Sequence, residues 1–277
     1  MEMKILSKDI SEKDIDKTVT LSGWVNKRRD HGGIIFVDLR DHTGIVQIVF
    51  NPDNKDIFKE AEMLRSEFVI SVTGMITGRS EDTINEDIPS GKIEVVADHL
   101  VILNNSETPP FMINDHNVSE DLKLQYRYID LRSRRLQNNL KFRSDLIKLI
   151  RDYFHENEFI DVETPILTKT TPEGARDYLV PSRLKKESFF ALPQSPQIFK
   201  QTLMIGGIEK YYQIARCFRD EDLRSDRQPE FTQLDVELAF ATEEKIIDLT
   251  EKLFYKIFKD IFSVNNVVFN KMTYEDA

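Results

Sequence analysis

Between Tyr211 and Phe240 the chain reads YYQIARCFRDEDLRSDRQPEFTQLDVELAF, a pattern that leaves few folds open. Tyr211 to Phe218 is apolar and rich in aromatics, the signature of a strand. Arg219 to Glu230 is densely charged, with Arg219, Arg224 and Arg227 among Asp220, Glu221, Asp222, Asp226 and Glu230. Phe231 to Phe240 alternates: Leu234, Val236 and Leu238 fall on one side, Gln233, Asp235 and Glu237 on the other. Period 2 means a half-buried strand. The stretch is therefore strand, charged loop, antiparallel strand. A solvated hairpin tip is the plain alternative. Against it, Arg219 and Glu221 are expected on one face, and Phe231 follows the loop where an aromatic can cover a flat ligand. A guanidinium for phosphate, a carboxylate for an amine and a ring for a base are what a nucleotide site needs.

The composition sets bounds. With 277 residues, 40% hydrophobic and 31% charged, the chain suits a soluble protein of one large or two ordinary domains. No run of ~18 apolar residues marks a membrane span, and no leader pattern marks secretion. A single cysteine, Cys217, excludes an internal disulfide and fits a reducing cytoplasm, as a small core residue within its strand. The net charge of −10 weighs against a nucleic-acid partner. Basic clusters at Lys27-Arg28-Arg29 and across Arg127, Arg132, Arg134, Arg135, Lys141 and Arg143 weaken that objection, because the local field matters more than the total. No Ser/His/Asp set and no metal-spaced Cys/His cluster is found.

Residues 18–103 read as strands: Thr18–Arg28, Gly33–Arg40, Gly44–Phe50, then a short helix Asp56–Leu64, then Phe68–Arg79 and Lys92–Leu103. Three strands, a helix and two strands is the order of a five-stranded OB barrel, or of another small β domain. Gly74 inside a strand marks a bend or bulge. Trp24 reads as barrel core. From the residues alone, Phe36 is core, Gln47 surface, and Arg28 and Arg29 a solvated turn. The spans expected are 1–104 for this domain, 105–135 for a linker and 136–277 for a second domain. Ser119 can cap a helix at SEDLKLQYRYIDLR, and a second helix runs from about Leu136 to Asn157. Phe159–Leu167 reads as a strand ending at Pro165, and Phe189–Ala191 as a short strand. Ser195-Pro196 starts a helix, which sets Gln197, Lys200 and Gln201 in its first turns.

The strings FRDE and RQPEF resemble motif 2 of the class II aminoacyl-tRNA synthetases, and CFRDEDLRSDRQPEFTQLDVE is similar to its bacterial aspartyl-tRNA synthetase form. Helix, strand and Pro165 resemble motif 1, the dimer-forming motif. TPEGARDYLVPSR and LPQSPQIFKQTLM resemble signature stretches of aspartyl-tRNA synthetases. The resemblance implies an N-terminal OB-fold that binds the anticodon, followed by an α+β catalytic domain with an antiparallel sheet and flanking helices. It implies ATP-dependent activation of L-aspartate to aspartyl-adenylate, then transfer to tRNA-Asp, with ATP as substrate, Mg2+ as cofactor, a homodimer, a cytoplasmic location and no membrane.

Carried onto matching positions, Arg219 is the catalytic residue, bridging the aspartate carboxylate and the α-phosphate. Asp220, Glu221 and Gln228 help hold ATP, and Phe231 stacks on adenine. Glu173 closes on the substrate ammonium, with Ser195 and Asp235 near it. Gln197 and Lys200 belong to the aspartate pocket, Lys200 answering the side-chain carboxylate. Arg28, Arg29, Phe36 and Gln47 meet the anticodon. His31 matches members that also charge tRNA-Asn, where leucine marks the strict type; a turn histidine without a role is the alternative. The resemblance runs from about Val19 to Ala277 and lacks motif 3, so a truncated chain that activates aspartate poorly is expected. Two other readings stay open: an asparaginyl- or lysyl-type relative, and an OB-fold RNA-binding module with an inactive synthetase half.

Overall fold

The computed structural model describes residues 5–276. The chain divides between Asn138 and Asn139 into two compact units.

In the first unit five strands, β1 (Thr18–His31), β2 (Ile34–Arg40), β3 (Ile45–Phe50), β4 (Val69–Gly78) and β5 (Ile93–Asn104), close into a barrel in the order β1-β2-β3-β5-β4. Helix α1 (Lys55–Met63) lies between β3 and β4 in sequence, which is the OB arrangement. Alternation explains the core. Along β1, Val19, Leu21 and Val25 point inward, and they meet Ile35, Val37, Ile48, Phe50, Ile70, Val72 and Val95. Trp24 is out of phase with that set. It is half-buried on the outside, not core as its bulk led us to expect, and the Arg132 guanidinium lies 5.6 Å from its ring centroid. Gly74 sits where the β4–β5 register shifts. A Cβ there would come within 2.1 Å of the Val96 carbonyl oxygen, so only glycine lets the strands approach this closely.

A buried ion cluster holds the barrel to the segment that follows it. Glu67, at φ +67° and almost fully buried, takes two hydrogen bonds from the Arg40 guanidinium, at 2.9 and 2.7 Å, and a third from Arg132. Arg132 follows α2 (Glu120–Gln125) and α3 (Arg127–Asp130). Ser119 caps α2 as its sequence predicts, accepting from the Leu122 amide.

The second unit is built on a three-stranded sheet in the order β10-β9-β6. Strands β9 (Lys210–Phe218) and β10 (Glu230–Leu238) are antiparallel, while β6 (Ile160–Asp161) runs parallel to β9, so the sheet is mixed. Strand order here is shorter than the apolar run Phe159–Leu167 predicts. Pairing ends after Asp161, apart from the Val162 amide on the Tyr212 carbonyl, and Pro165 further on has no N–H with which to resume the ladder. Strands β7 (Leu179–Pro181) and β8 (Phe189–Ala191) form a separate hairpin. Helices α4 (Arg134–Glu156) and α6 (Glu243–Phe262) supply Tyr153, Phe154 and Leu253, which pack with Phe159, Tyr212, Val236 and Leu238 into one core. Phe154 stacks on Tyr212 at 4.8 Å. Helix α5 (Gln197–Ile205) starts one residue after Pro196. Among the described residues no helix is long and apolar enough to cross a membrane.

One tether in the first unit is pH-sensitive. The Asp41 carboxylate accepts from the Ser7 amide and hydroxyl, each at 2.7 Å, and from the Thr43 amide at 2.7 Å. Burial raises its pKa, but these bonds outweigh burial and hold it at about 2, below the ordinary 3.8. A depressed carboxyl stabilises the fold above its unfolded pKa, and the gain is lost as pH falls through the folded value. Asp41→Asn should therefore cost roughly 1–2 kcal/mol at pH 7. Urea titrations should show its gap from the unsubstituted chain closing as pH falls from 3.8 towards about 2. A gap that is unchanged at the acid end contradicts this assignment.

Candidate functional site

Facing residues on antiparallel strands share a side of the sheet. The pairing of β9 and β10 therefore sorts their side chains into two sets. Tyr212, Val236 and Leu238 take the side facing α4 and α6. Tyr211, Gln213, Ala215 and Cys217 share the other side with Glu237, Asp235, Gln233 and Phe231, their register partners. The polar side is the more protected one at its centre: Asp235 is 9% exposed, whereas Leu234 of the opposite set is 37% exposed. Such an inversion of the usual order marks a side built to hold polar groups.

Helix α5 packs on that side and places Lys200 over it. The Lys200 ammonium donates to Asp235 Oδ1 at 2.9 Å and lies 3.2 Å from Glu237 Oε2. Burial lowers the pKa of Lys200, but the two carboxylates outweigh burial and raise it above the ordinary value, so it stays charged. Asp235 Oδ2 is buried with no hydrogen-bond partner among the described residues. Gln197 opens α5, one turn before Lys200. Tyr211 donates to Gln213 Oε1 at 2.9 Å, and Thr164 donates to the same oxygen at 3.0 Å. Burial pushes the Tyr211 phenol well up and the Cys217 thiol to about 11, so neither supplies an anion to this side near neutral pH.

At the open end of the two strands the charged loop forms a cleft of about 390 Å3, lined by Arg219, Glu221, Asp222, Leu223, Asp226, Arg227, Gln228 and Phe231. The Arg219 guanidinium stands 5.1 Å from the Phe231 ring centroid, which puts cation and aromatic side by side. Asp220 does not line this cleft. Its amide donates instead to the Arg176 carbonyl at 3.0 Å, tying the loop to the segment that carries Glu173. Glu173 accepts from the Ser195 hydroxyl at 2.8 Å. Three pairs among the expected residues thus stand together: Glu173 with Ser195, Lys200 with Asp235, and Arg219 with Phe231. Glu237 and Gln194 were passed over in the sequence. Glu237 was visible as the next residue on the polar side of β10; nothing in the sequence pattern flagged Gln194.

In the barrel, Arg29 and Phe36 are register partners on the outer side of β1 and β2, and Asp38 pairs with Gln47 on the same side. Arg29 donates to Asp38 at 2.5 Å and to Gln47 Oε1 at 3.1 Å, and Gln47 donates to Glu94 at 2.8 Å. Burial raises the Asp38 carboxyl despite the nearby Arg29. Arg28, one residue off in the alternation, leaves this surface and donates to the Ala61 carbonyl of α1 at 3.2 Å. His31 ends β1, just before Gly32 and Gly33, both at positive φ. Asp38 and Glu94 extend the group that the sequence picks out.

Both parts of the chain match known protein families. Residues 19–103 match the OB-fold nucleic acid binding domain, and residues 119–277 match the tRNA synthetases class II (D, K and N). The chain is 56% identical over 256 residues to the Aspartate--tRNA(Asp/Asn) ligase of Legionella pneumophila (strain Corby), covering 92% of this chain and 43% of that relative. It is 59% identical over 251 residues to the enzyme of the same name from Halothermothrix orenii, covering 90% and 42%. With the Aspartate--tRNA ligase of Bacillus licheniformis it shares 53% over 273 residues, covering 97% and 46%. The chain thus spans less than half the length of these relatives. Among solved structures, asparaginyl-tRNA synthetase from Pyrococcus horikoshii complexed with asparaginyl-adenylate matches with TM-score 0.83 at 26% identity, over 96% of this chain and 59% of that one. Aspartyl tRNA synthetase from Entamoeba histolytica shares the fold, with TM-score 0.80 at 22% identity over 94% and 55%. A closed OB barrel followed by a sheet with a charged motif-2 hairpin, and family matches over both, place this chain among the class II tRNA synthetases of the D, K and N group.

Proposed function

We propose that this chain carries the anticodon-binding barrel and the motif-2 half of the catalytic site of an aspartate–tRNA ligase. The observation that carries the reading is the half-buried Lys200, held charged between Asp235 and Glu237 on the polar side of the sheet. A fixed cation suits the side-chain carboxylate of aspartate. It disfavours asparagine, whose amide would leave a desolvated charge poorly matched. The names of the relatives supply the matching substrate class.

In the proposed reaction the α-carboxylate of aspartate attacks the α-phosphorus of ATP. The bond from the α-phosphorus to the bridging oxygen breaks, and pyrophosphate leaves with that oxygen. The terminal adenosine hydroxyl of tRNA then takes the aspartyl group from the adenylate, releasing AMP. Positioning and charge neutralisation dominate such chemistry. Arg219 bridges the carboxylate and the α-phosphate, for which a planar two-pronged donor is suited. Glu221 and Gln228 line the nucleotide cleft and Phe231 offers its ring to adenine, with Asp220 holding the loop through its backbone. Glu173 and Ser195 meet the substrate ammonium, with Asp235, and Gln197 borders the aspartate pocket. Neither Cys217 nor Tyr211 is needed as nucleophile or base.

Class II synthetases use ATP as a substrate together with Mg2+. Among the described residues no group of three His, Cys, Asp or Glu is placed to hold a metal ion, so these side chains do not fit a Mg2+ cage of their own. The barrel surface of Arg29, Phe36 and Gln47 is proposed to read the anticodon, by stacking on the ring and hydrogen bonding at the Gln47 amide. His31, at the end of β1, borders that surface, whereas Arg28 would have to leave the Ala61 carbonyl to meet the anticodon. tRNA-Asp is the proposed partner, and tRNA-Asn a second one. A cytoplasmic homodimer completes the proposal.

Two measurements test it. Calorimetric titration of this chain should give tighter binding of L-aspartate than of L-asparagine. Lys200→Met should cost aspartate roughly 10- to 100-fold in affinity while leaving asparagine little changed, with the melting temperature checked for folding. A preference for asparagine in the unsubstituted chain would favour the asparaginyl reading. At one fixed salt concentration, anticodon hairpins bearing GUC and GUU should bind alike and more tightly than an unrelated loop. Binding of GUC alone would restrict the partner to tRNA-Asp and leave His31 without a role. Equal binding of all three would remove the anticodon role from the barrel.

A further inference from the structure

Gln194 sits between β8 and α5 and is fully buried. A side-chain amide in that position costs free energy unless both of its ends are paired. Both are. Its Oε1 accepts from the Ala175 amide at 3.2 Å, and its Nε2 donates to the Ala175 carbonyl at 2.9 Å and to Asp177 Oδ1 at 2.6 Å. Gln194 thus pairs with Ala175 as a neighbouring strand would. On the other side of the segment the Arg176 carbonyl accepts from the Asp220 amide, next to Arg219. Asp177 also takes the Thr171 amide at 3.3 Å, which closes the loop across its neck.

The loop therefore has a clamped base and an exposed tip. Ala175 to Asp177 are held from both sides. Gly174 lies at φ +97°, with nothing within 4 Å of where a Cβ would stand, and Glu173 beyond it is exposed. Consecutive residues serve the two parts: Gln194 holds the base, and Ser195 takes the Glu173 carboxylate at the tip. We infer that Gln194 is a positioning residue for the Glu173 carboxylate, fixing the base from which that group meets the ammonium of the amino acid. The inference rests on the functional reading above and adds a residue to it. Gln194 itself touches no substrate; its effect must pass through Glu173.

That dependence gives a sharp test. Succinate carries the two carboxylates of aspartate without the ammonium. Binding of L-aspartate and of succinate is measured by calorimetry for the unsubstituted chain, Gln194→Met, Glu173→Gln and the double variant. Each single change should weaken aspartate by about tenfold, the size of one hydrogen bond to a charged group, and succinate by less than about twofold. The double variant should be no weaker than either single one, because both changes remove the same contact. Losses that multiply to about a hundredfold, or a loss for succinate equal to that for aspartate, overturn the inference. If Gln194→Met does not fold, Asp177→Asn, less buried and acting on the same clamp, replaces it with the same expectation. Failure of the unsubstituted chain to bind aspartate overturns the functional reading instead, which separates the two.

Discussion

Nine register pairs between β9 and β10 are the constraint on which the second unit depends. Because facing residues share a side, that pairing turns a linear alternation into two surfaces. One is apolar and closes on Phe154 and Leu253 of the flanking helices. The other carries Asp235, Glu237, Gln213 and Gln233 and receives Lys200 from α5. A shift of one residue in β10 would turn Asp235 toward the aromatic core and Val236 toward Lys200. The apolar packing that stabilises the sheet is thus also what orients the site. The long charged loop sits where the ladder ends, and there Arg219, Glu221, Asp222, Asp226 and Arg227 line a cleft.

Each unit keeps an ion cluster, buried in the first and half-buried in the second, and the two differ in composition. Around Glu67 two guanidiniums meet one carboxylate, which fastens the barrel to the residues following α3. Around Lys200 one ammonium meets two carboxylates, leaving local negative charge and an unpartnered oxygen on Asp235. Buried ion pairs add little net stability compared with well-packed apolar groups. They do fix geometry, and Asp235 and Glu237 together hold the Lys200 ammonium on the polar side of the sheet. The barrel surface repeats the idea more loosely, with Arg29, Asp38, Gln47 and Glu94 joined along one side.

Much of this was readable in the residues. The barrel strands came from β-branched runs broken by glycine turns, the motif-2 hairpin from its period of 2, and α2 from Ser119. Those signals are local, and the structure keeps them. Trp24 was misread because bulk favours burial, whereas its phase along β1 put it outside with Arg132. The run Phe159–Leu167 was apolar enough for a longer strand, but only Ile160 and Asp161 pair with β9, and Pro165 has no N–H with which to resume the ladder. Arg28 and Arg29 look equivalent in sequence and are separated by alternation alone. Gln194 was illegible for a different reason. Its two partner residues lie 17 and 19 residues away, and only the folded chain shows an amide side chain standing in for a strand.

The most direct test is a crystal structure of this chain with a hydrolysis-resistant aspartyl-adenylate analogue. The account predicts the aspartyl side-chain carboxylate within hydrogen-bond reach of Lys200, the adenine on the Phe231 ring, and Arg219 drawn from that ring onto the acyl phosphate. An analogue seated elsewhere, or one bound here with its carboxylate away from Lys200, would contradict the account.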